Sequence, residues 1–195
     1  FQASVERLEG LFSCDRILVV TVEDQAQELQ EQCPDIPAGN FILEPMPRGT
    51  ASVVGLAGIA LRHRDPQAVM AVLTADHYIG NEHKFRQALR SAYDVAQDDY
   101  LVTLGIQPTF PATGYGYIQR GEPIGVFGDL DVYHVLRFKE KPDEEQARQM
   151  LATGDHAWNS GMFVWEVNRI LAEFERHMPE LHAGLEDISH AWSSP

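Results

Sequence analysis

At 195 residues with 44% hydrophobic content, the chain is long enough to bury one substantial core. Its formal charge of −14 repels nucleic acid and acidic membranes, so neither is an expected partner, although a local cation or bound metal can still dominate a small-molecule site. The two cysteines, Cys14 and Cys33, make neither a disulfide scaffold nor a CxxC pair and read as reduced thiols of a cytoplasmic protein; no signal peptide is found, and the longest apolar run, Ala51 to Leu61, is too short to span a bilayer.

Gln2 to Leu8 already reads as helix, which is expected of a segment of a longer chain. Arg16 to Val22 is a short β-branched run and predicts a buried strand. Asp24 to Gln32 predicts a polar helix, and Asn40 to Glu44 a second strand stopped by Pro45 and Pro47. Thr50 is placed to cap a helix reaching Arg64, apolar on nearly all sides, in which Gly55 and Gly58 admit a close neighbour. Val69 to Leu73 predicts a doubly covered strand of the parallel type. From Glu82 to Gln97 the residues Phe85, Ala88, Leu89, Ala92, Tyr93 and Ala96 fall on one helical face. Tyr100 to Ile106 predicts another strand, and this βαβα order implies an α/β fold, a mostly parallel sheet with helices on both faces. Past Pro108 glycine and proline become frequent. Val132 to Lys139 predicts a long strand, Asp143 the cap of a short helix with Ala147, Met150 and Leu151 on one face, and Trp158 to Trp165 a further strand. A last helix presents Val167, Ile170, Leu171 and Phe174 on one side.

Five stretches carry candidate chemistry. In Leu73-Thr74-Ala75-Asp76-His77 a carboxylate follows a strand end, where α/β sheets gather ligands; Asp76 either holds a hard cation such as Mg²⁺ or caps a turn. In Phe138-Lys139-Glu140-Lys141-Pro142, alternation puts Glu140 on the side of Leu136 and Phe138, where an unpaired charge is costly and sugar hydroxyls would satisfy it. Lys141 then projects to the other side as a cation suited to phosphate; the competing reading is an exposed strand end in a charged loop. In Trp158-Asn159-Ser160-Gly161-Met162-Phe163, Asn159 and Ser160 interrupt an apolar strand and need partners, supplied by a ligand hydroxyl or by a local bulge. Thr113-Gly114-Tyr115-Gly116-Tyr117-Ile118 admits a ligand close to its backbone or marks a bulge. Glu44-Pro45-Met46-Pro47-Arg48-Gly49-Thr50 leads into a helix N-terminus, where N–H groups favour anions. No GxGxxG, GxxxxGK[ST], GxSxG or HExxH occurs, which disfavours P-loop NTPases, simple dinucleotide dehydrogenases, serine hydrolases and zincins.

Taken in order, these stretches resemble the sugar-nucleotide pyrophosphorylases, most closely the mannose-1-phosphate guanylyltransferases. The resemblance implies a single Rossmann-like, GT-A-type domain over residues 1–195, with a smaller β-rich sugar-binding part. It implies transfer from GTP to mannose-1-phosphate with Mg²⁺, giving GDP-mannose and pyrophosphate. By the same resemblance Asp76 binds metal and nucleotide and, with Lys141, serves catalysis. Gly114, Tyr115, Glu140, Lys141, Asn159 and Ser160 hold the sugar phosphate, and Arg48 and Thr50 lie beside the nucleotide. A homodimer is the protein partner carried with it. The family's Gly-rich loop is expected upstream of Phe1, and Gly49, Ser52 and Thr74 stand where the family has Asn, Pro and Pro. Two alternatives stay open: a non-catalytic nucleotide-sugar or sugar-phosphate binding module, and a related transferase using dTTP or UTP.

Overall fold

Short β-branched runs and apolar-faced stretches alternate along the chain, and each resolves into its own element. The structure, a computed structural model, describes residues 1–192; positions 193–195 of the expected domain lie outside the described residues. In chain order the elements are α1 (Gln2–Glu6), β1 (Val19–Val22), α2 (Glu23–Gln32), β2 (Phe41–Glu44), α3 (Thr50–Arg64), β3 (Val69–Val72), α4 (Glu82–Ala96), β4 (Val102–Ile106), β5 (Tyr117–Phe127), β6 (Leu130–Lys139), α5 (Glu144–Thr153), β7 (His156–Glu166), α6 (Val167–His177) and α7 (Pro179–Ala191). They group into two compact units: Phe1–Met70, Thr74–Arg86 and the chain from Trp165 onward form the first, and Ala71–Leu73 with Gln87–Val164 the second.

In the first unit β1 and β2 pair in parallel, from Val19 opposite Phe41 to Val22 opposite Glu44. The strand expected from Arg16 starts only at Val19, because Cys14–Arg16 form a 3₁₀ turn. That turn is anchored by the buried Asn40, whose amide donates to the carbonyls of Asp15 and Ile17, both at 2.9 Å. The N-cap of α3 is Gly49 at φ 91°, so Thr50 is the first helical residue and not the expected cap; a left-handed turn that glycine adopts freely starts the helix instead. As expected, α3 is buried on several sides, through Val54, Gly55, Ala57, Gly58, Ile59 and Ala60. A Cβ on Gly55 would lie 2.5 Å from Leu185 Cδ1, so α7 occupies the notch that this glycine leaves. Helix α6 buries Val167, Ile170, Leu171 and Phe174 along one face. Helix α7 was not foreseen; Pro179 opens it, and Leu185 is its one buried residue.

In the second unit the five-stranded sheet has the order β3-β7-β5-β6, with β4 also on β7. The ladders β4–β7, β5–β7 and β5–β6 are antiparallel, and the β1–β2 ribbon of the first unit is parallel. β5 runs through Gly121, Pro123 and Gly125, beyond the glycine-rich stretch singled out in the sequence. Register breaks near Arg120, Pro123 and Gly125 absorb the residues that a regular ladder rejects. On the β6 side, Leu136 (64% exposed) and Phe138 (56%) face solvent, contrary to the apolar burial expected there. In α4 the face at Phe85, Leu89, Ala92 and Ala96 is buried, but Tyr93 is exposed; Val95 takes its place. The N-cap of α5 is Asp143, as expected, its side chain accepting from the Gln146 N–H at 2.8 Å. Cys14 and Cys33 are unpaired thiols. Among the described residues no helix is long and apolar enough to cross a membrane.

Candidate active site

In the second unit, the end of β6, the start of β5 and the middle of β7 bring one cluster together. Tyr117 begins β5 fully buried, and its phenol donates to the Ala112 carbonyl at 2.9 Å. That bond closes the 112–117 stretch into a loop whose tip, Gly114, has nothing within 4 Å of a notional Cβ. Gly116, one residue before β5, accepts from the Asn159 N–H of β7 at 2.8 Å. A Cβ at Gly116 would lie 2.7 Å from Glu140 Oε2 and 3.5 Å from Asn159 Cβ. The Glu140 carboxylate therefore rests directly over the glycine backbone, beside Asn159. Asn159 Oδ1 accepts from Thr103 Oγ1 at 3.3 Å and from the Gly161 N–H at 3.2 Å, which fixes the amide with Nδ2 as its donor end.

On the opposite face of the same strands, with Tyr117, Ala112 and Ala147, stand aromatic rings. Tyr115 and Trp158 meet edge to face with centroids 5.1 Å apart, and Phe110 meets Trp158 at 5.0 Å and Tyr115 at 6.5 Å. These rings brace the loop from behind, while the carboxylate and amide on the Gly116 side suit the hydroxyls of a sugar. Lys141 is exposed beyond the end of β6 with φ 41°, a left-handed backbone for a side-chain-bearing residue. Ser160, expected to join Asn159, lies on the opposite, buried face of β7, because neighbours along a strand alternate. Its hydroxyl accepts from the Met162 N–H at 3.1 Å. Glu140 is exposed, so it is not the buried charge that alternation along β6 implied. Thr103 belongs to the cluster, through its bond to Asn159, without having been foreseen; it sits in β4, a stretch read only as a strand.

A second group lies in the first unit. The stretch after β3 puts Asp76 in an exposed turn. Its backbone is held from α1: Ser4 Oγ donates to the Ala75 carbonyl at 2.9 Å, Arg7 Nη1 to that of His77 at 2.7 Å and Arg7 Nη2 to that of Thr74 at 3.2 Å. Arg7 is 4% exposed and its guanidinium lies over the Phe85 ring, 5.7 Å from the centroid. Burial lowers its pKa and the Glu82 carboxylate raises it. Arg48 and Thr50 are exposed where the loop after β2 enters α3. Among the described residues no three His, Cys, Asp or Glu side chains form a metal-binding group. A single exposed carboxylate is nonetheless the donor set Mg²⁺ uses when water and phosphate oxygens supply the remaining ligands, so Asp76 fits that ion and not a zinc-type cage.

The chain itself is similar to known proteins along the described residues. A family model described as nucleotidyl transferase matches residues 1–192. The chain is 40% identical over 189 residues to the mannose-1-phosphate guanylyltransferase ManC of Salmonella typhimurium, covering 95% of this chain and 39% of that protein. It is 39% identical over 184 residues to the mannose-1-phosphate guanylyltransferase of Escherichia coli, covering 92% of this chain and 38% of that protein. It thus spans well under half the length of these relatives. A crystal structure of mannose-1-phosphate geranyltransferase from Thermus thermophilus superposes with a TM-score of 0.85 at 33% identity, covering 96% of this chain and 53% of that one. One of mannose-6-phosphate isomerase from Helicobacter pylori gives 0.81 at 29% identity, covering 98% and 70%.

Proposed function

The chain belongs to the nucleotidyl transferase family, and from that premise we propose that the protein containing it transfers GMP from GTP to mannose-1-phosphate. An oxygen of the sugar phosphate attacks the α-phosphorus in line; the bond from that phosphorus to the bridging oxygen of the β-phosphate breaks, and pyrophosphate leaves. The observation that carries this reading is the Glu140 carboxylate seated over Gly116 beside Asn159. It is supported by the names of the guanylyltransferases that resemble this chain over more than nine-tenths of its length.

In this reading Glu140 and Asn159 accept and donate to sugar hydroxyls, the loop backbone at Gly114 and Tyr115 lies against the sugar, and Lys141 faces its phosphate. Arg48 and Thr50 lie beside the nucleotide, and Asp76 holds Mg²⁺. The bound ion supplies neutralisation of phosphate charge; the protein's share is alignment and fixed positive potential. Ser160, bonded within its own strand, shapes β7 and does not touch the sugar. The substrates are soluble anions met in the cytoplasm, without nucleic acid or membrane partners, and a homodimer is the assembly carried with the reading.

The test is pyrophosphate release by the full-length protein with GTP and mannose-1-phosphate, at varied Mg²⁺. Turnover that requires both substrates and the metal is expected. Preferential turnover of dTTP or UTP with a glucose-type phosphate moves the substrate assignment, and binding of GDP-mannose without any turnover replaces the enzyme by a binding module.

A further inference from the structure

We propose that Arg7 is a positioning residue for the reaction: from α1 it fixes the backbone of residues 74–77 so that the Asp76 carboxylate is presented outward in one orientation. The inference rests on the reading of Asp76 as the metal-binding carboxylate.

Arg7 and Ser4 together hold the carbonyls of Thr74, Ala75 and His77, that is, those on both sides of Asp76. With these oxygens drawn toward α1, the carboxylate between them is left exposed. The backbone of Arg7 is tied in as well, its carbonyl accepting from Arg86 Nη1 at 3.1 Å. The clamp is thus anchored at its base by α4, stacked on Phe85 and bonded at its tip to the loop.

The chemistry of the choice is informative. An apolar chain of the same length would fill this space without desolvating a charge. Arg7 instead buries a guanidinium whose Nε has no hydrogen-bond partner, and its two terminal nitrogens go to carbonyls three residues apart in one turn. A planar fork reaches both at once, whereas a lysine ammonium reaches them only as a point charge. Such an arrangement fixes the conformation of a loop more than it adds packing. A metal ion is sensitive to the placement of each carboxylate that holds it, so a loop that presents one must be kept in a single conformation.

The experiment compares Arg7→Met, Arg7→Lys, Ser4→Ala and Asp76→Asn in the full-length protein with three readouts. The first is hydrogen exchange of the 74–78 amides without metal or substrate. Arg7→Met is expected to accelerate it about tenfold or more, with slower-exchanging strands unchanged. The second is the Mg²⁺ concentration for half-maximal turnover, expected to rise about tenfold while kcat falls and KM for the sugar phosphate stays within about twofold. The third is Tm. Arg7→Lys is expected to restore Tm but not the Mg²⁺ requirement, and Ser4→Ala to show a weaker form of both loop effects. If Arg7→Met does not fold, Arg7→Lys carries the exchange and Mg²⁺ measurements. Unchanged 74–78 exchange, or a lowered Tm with an unchanged Mg²⁺ requirement, overturns the proposal. Full activity of Asp76→Asn overturns the metal reading instead, a result that the exchange data distinguish from failure of the clamp.

Discussion

At the scale of single residues, Gly116 and Asp155 show how local geometry translates into measurable behaviour. A methyl group at Gly116 would meet the far end of the Glu140 side chain at 2.7 Å, a contact relieved by swinging the carboxylate away and not by moving backbone. Gly116→Ala is therefore expected to change Tm little while weakening sugar-phosphate binding about tenfold, as one charge-assisted hydrogen bond is lost; calorimetric titration with mannose-1-phosphate checks it, and unaltered affinity removes Glu140 from the sugar site. Asp155 accepts from Thr153 Oγ1 at 2.5 Å and Gln119 Nε2 at 2.8 Å, and lies 2.6 Å from His156 Nδ1. These hydrogen bonds, with the imidazole beside it, hold its carboxyl well below the usual carboxylate range. A depressed folded-state pKa contributes stability that is present above the unfolded value, about 3.9, and is lost as pH falls below it toward the folded one. Urea unfolding at pH 5 and pH 3 is expected to show this loss in the wild type and a smaller loss in Asp155→Asn. Much of the candidate site was legible at this scale, since Asp76, Glu140 and Asn159 stand out as polar residues at the ends or in the middle of apolar strands. Arg7 was not legible, because an arginine at the end of a short polar helix has no sequence signature of burial.

Among the elements, α3 was the most legible, its bounds readable from the apolar stretch between Thr50 and Arg64, and the glycines within it marked a close neighbour correctly. Gly55→Ala drives a methyl to 2.5 Å from Leu185 Cδ1, inside a helix–helix contact where Leu185 is 3% exposed. The expected cost is about 1–3 kcal/mol, measured by urea unfolding, and Leu185→Ala in the same background should recover part of it. Two elements escaped the sequence for physical reasons. β5 carries Gly121, Pro123 and Gly125, residues that argue against a strand unless bulges absorb them, and composition does not say where along the β5–β6 hairpin the bulges fall. α7 buries only Leu185, too little for a periodic pattern to stand out. The alternation read along β6 groups Glu140 with Leu136 and Phe138, but alternation does not say whether a face is covered, and His134 to Glu140 are all exposed.

For the whole molecule, a formal charge of −14 sets the field in which anionic substrates must arrive. Raising salt from about 0.01 M to 0.15 M shortens the screening length from about 30 to about 8 Å, so long-range repulsion fades while the short-range pairing proposed for Lys141 and Arg48 would survive. At saturating Mg²⁺, kcat/KM for mannose-1-phosphate is expected to rise over that range; a steady fall would mean that local cations govern the approach. Domain stability is a small difference of about 5–15 kcal/mol, so the left-handed backbone of Lys141, at φ 41° and directly before a proline, weighs visibly against it at about 1–2 kcal/mol. A glycine at that position would relax the chain and remove the cation together. On the proposed reading of Lys141 as the phosphate-facing cation, Lys141→Gly is thus expected to melt higher and turn over more slowly, so that thermal robustness and phosphate binding pull against each other at one residue.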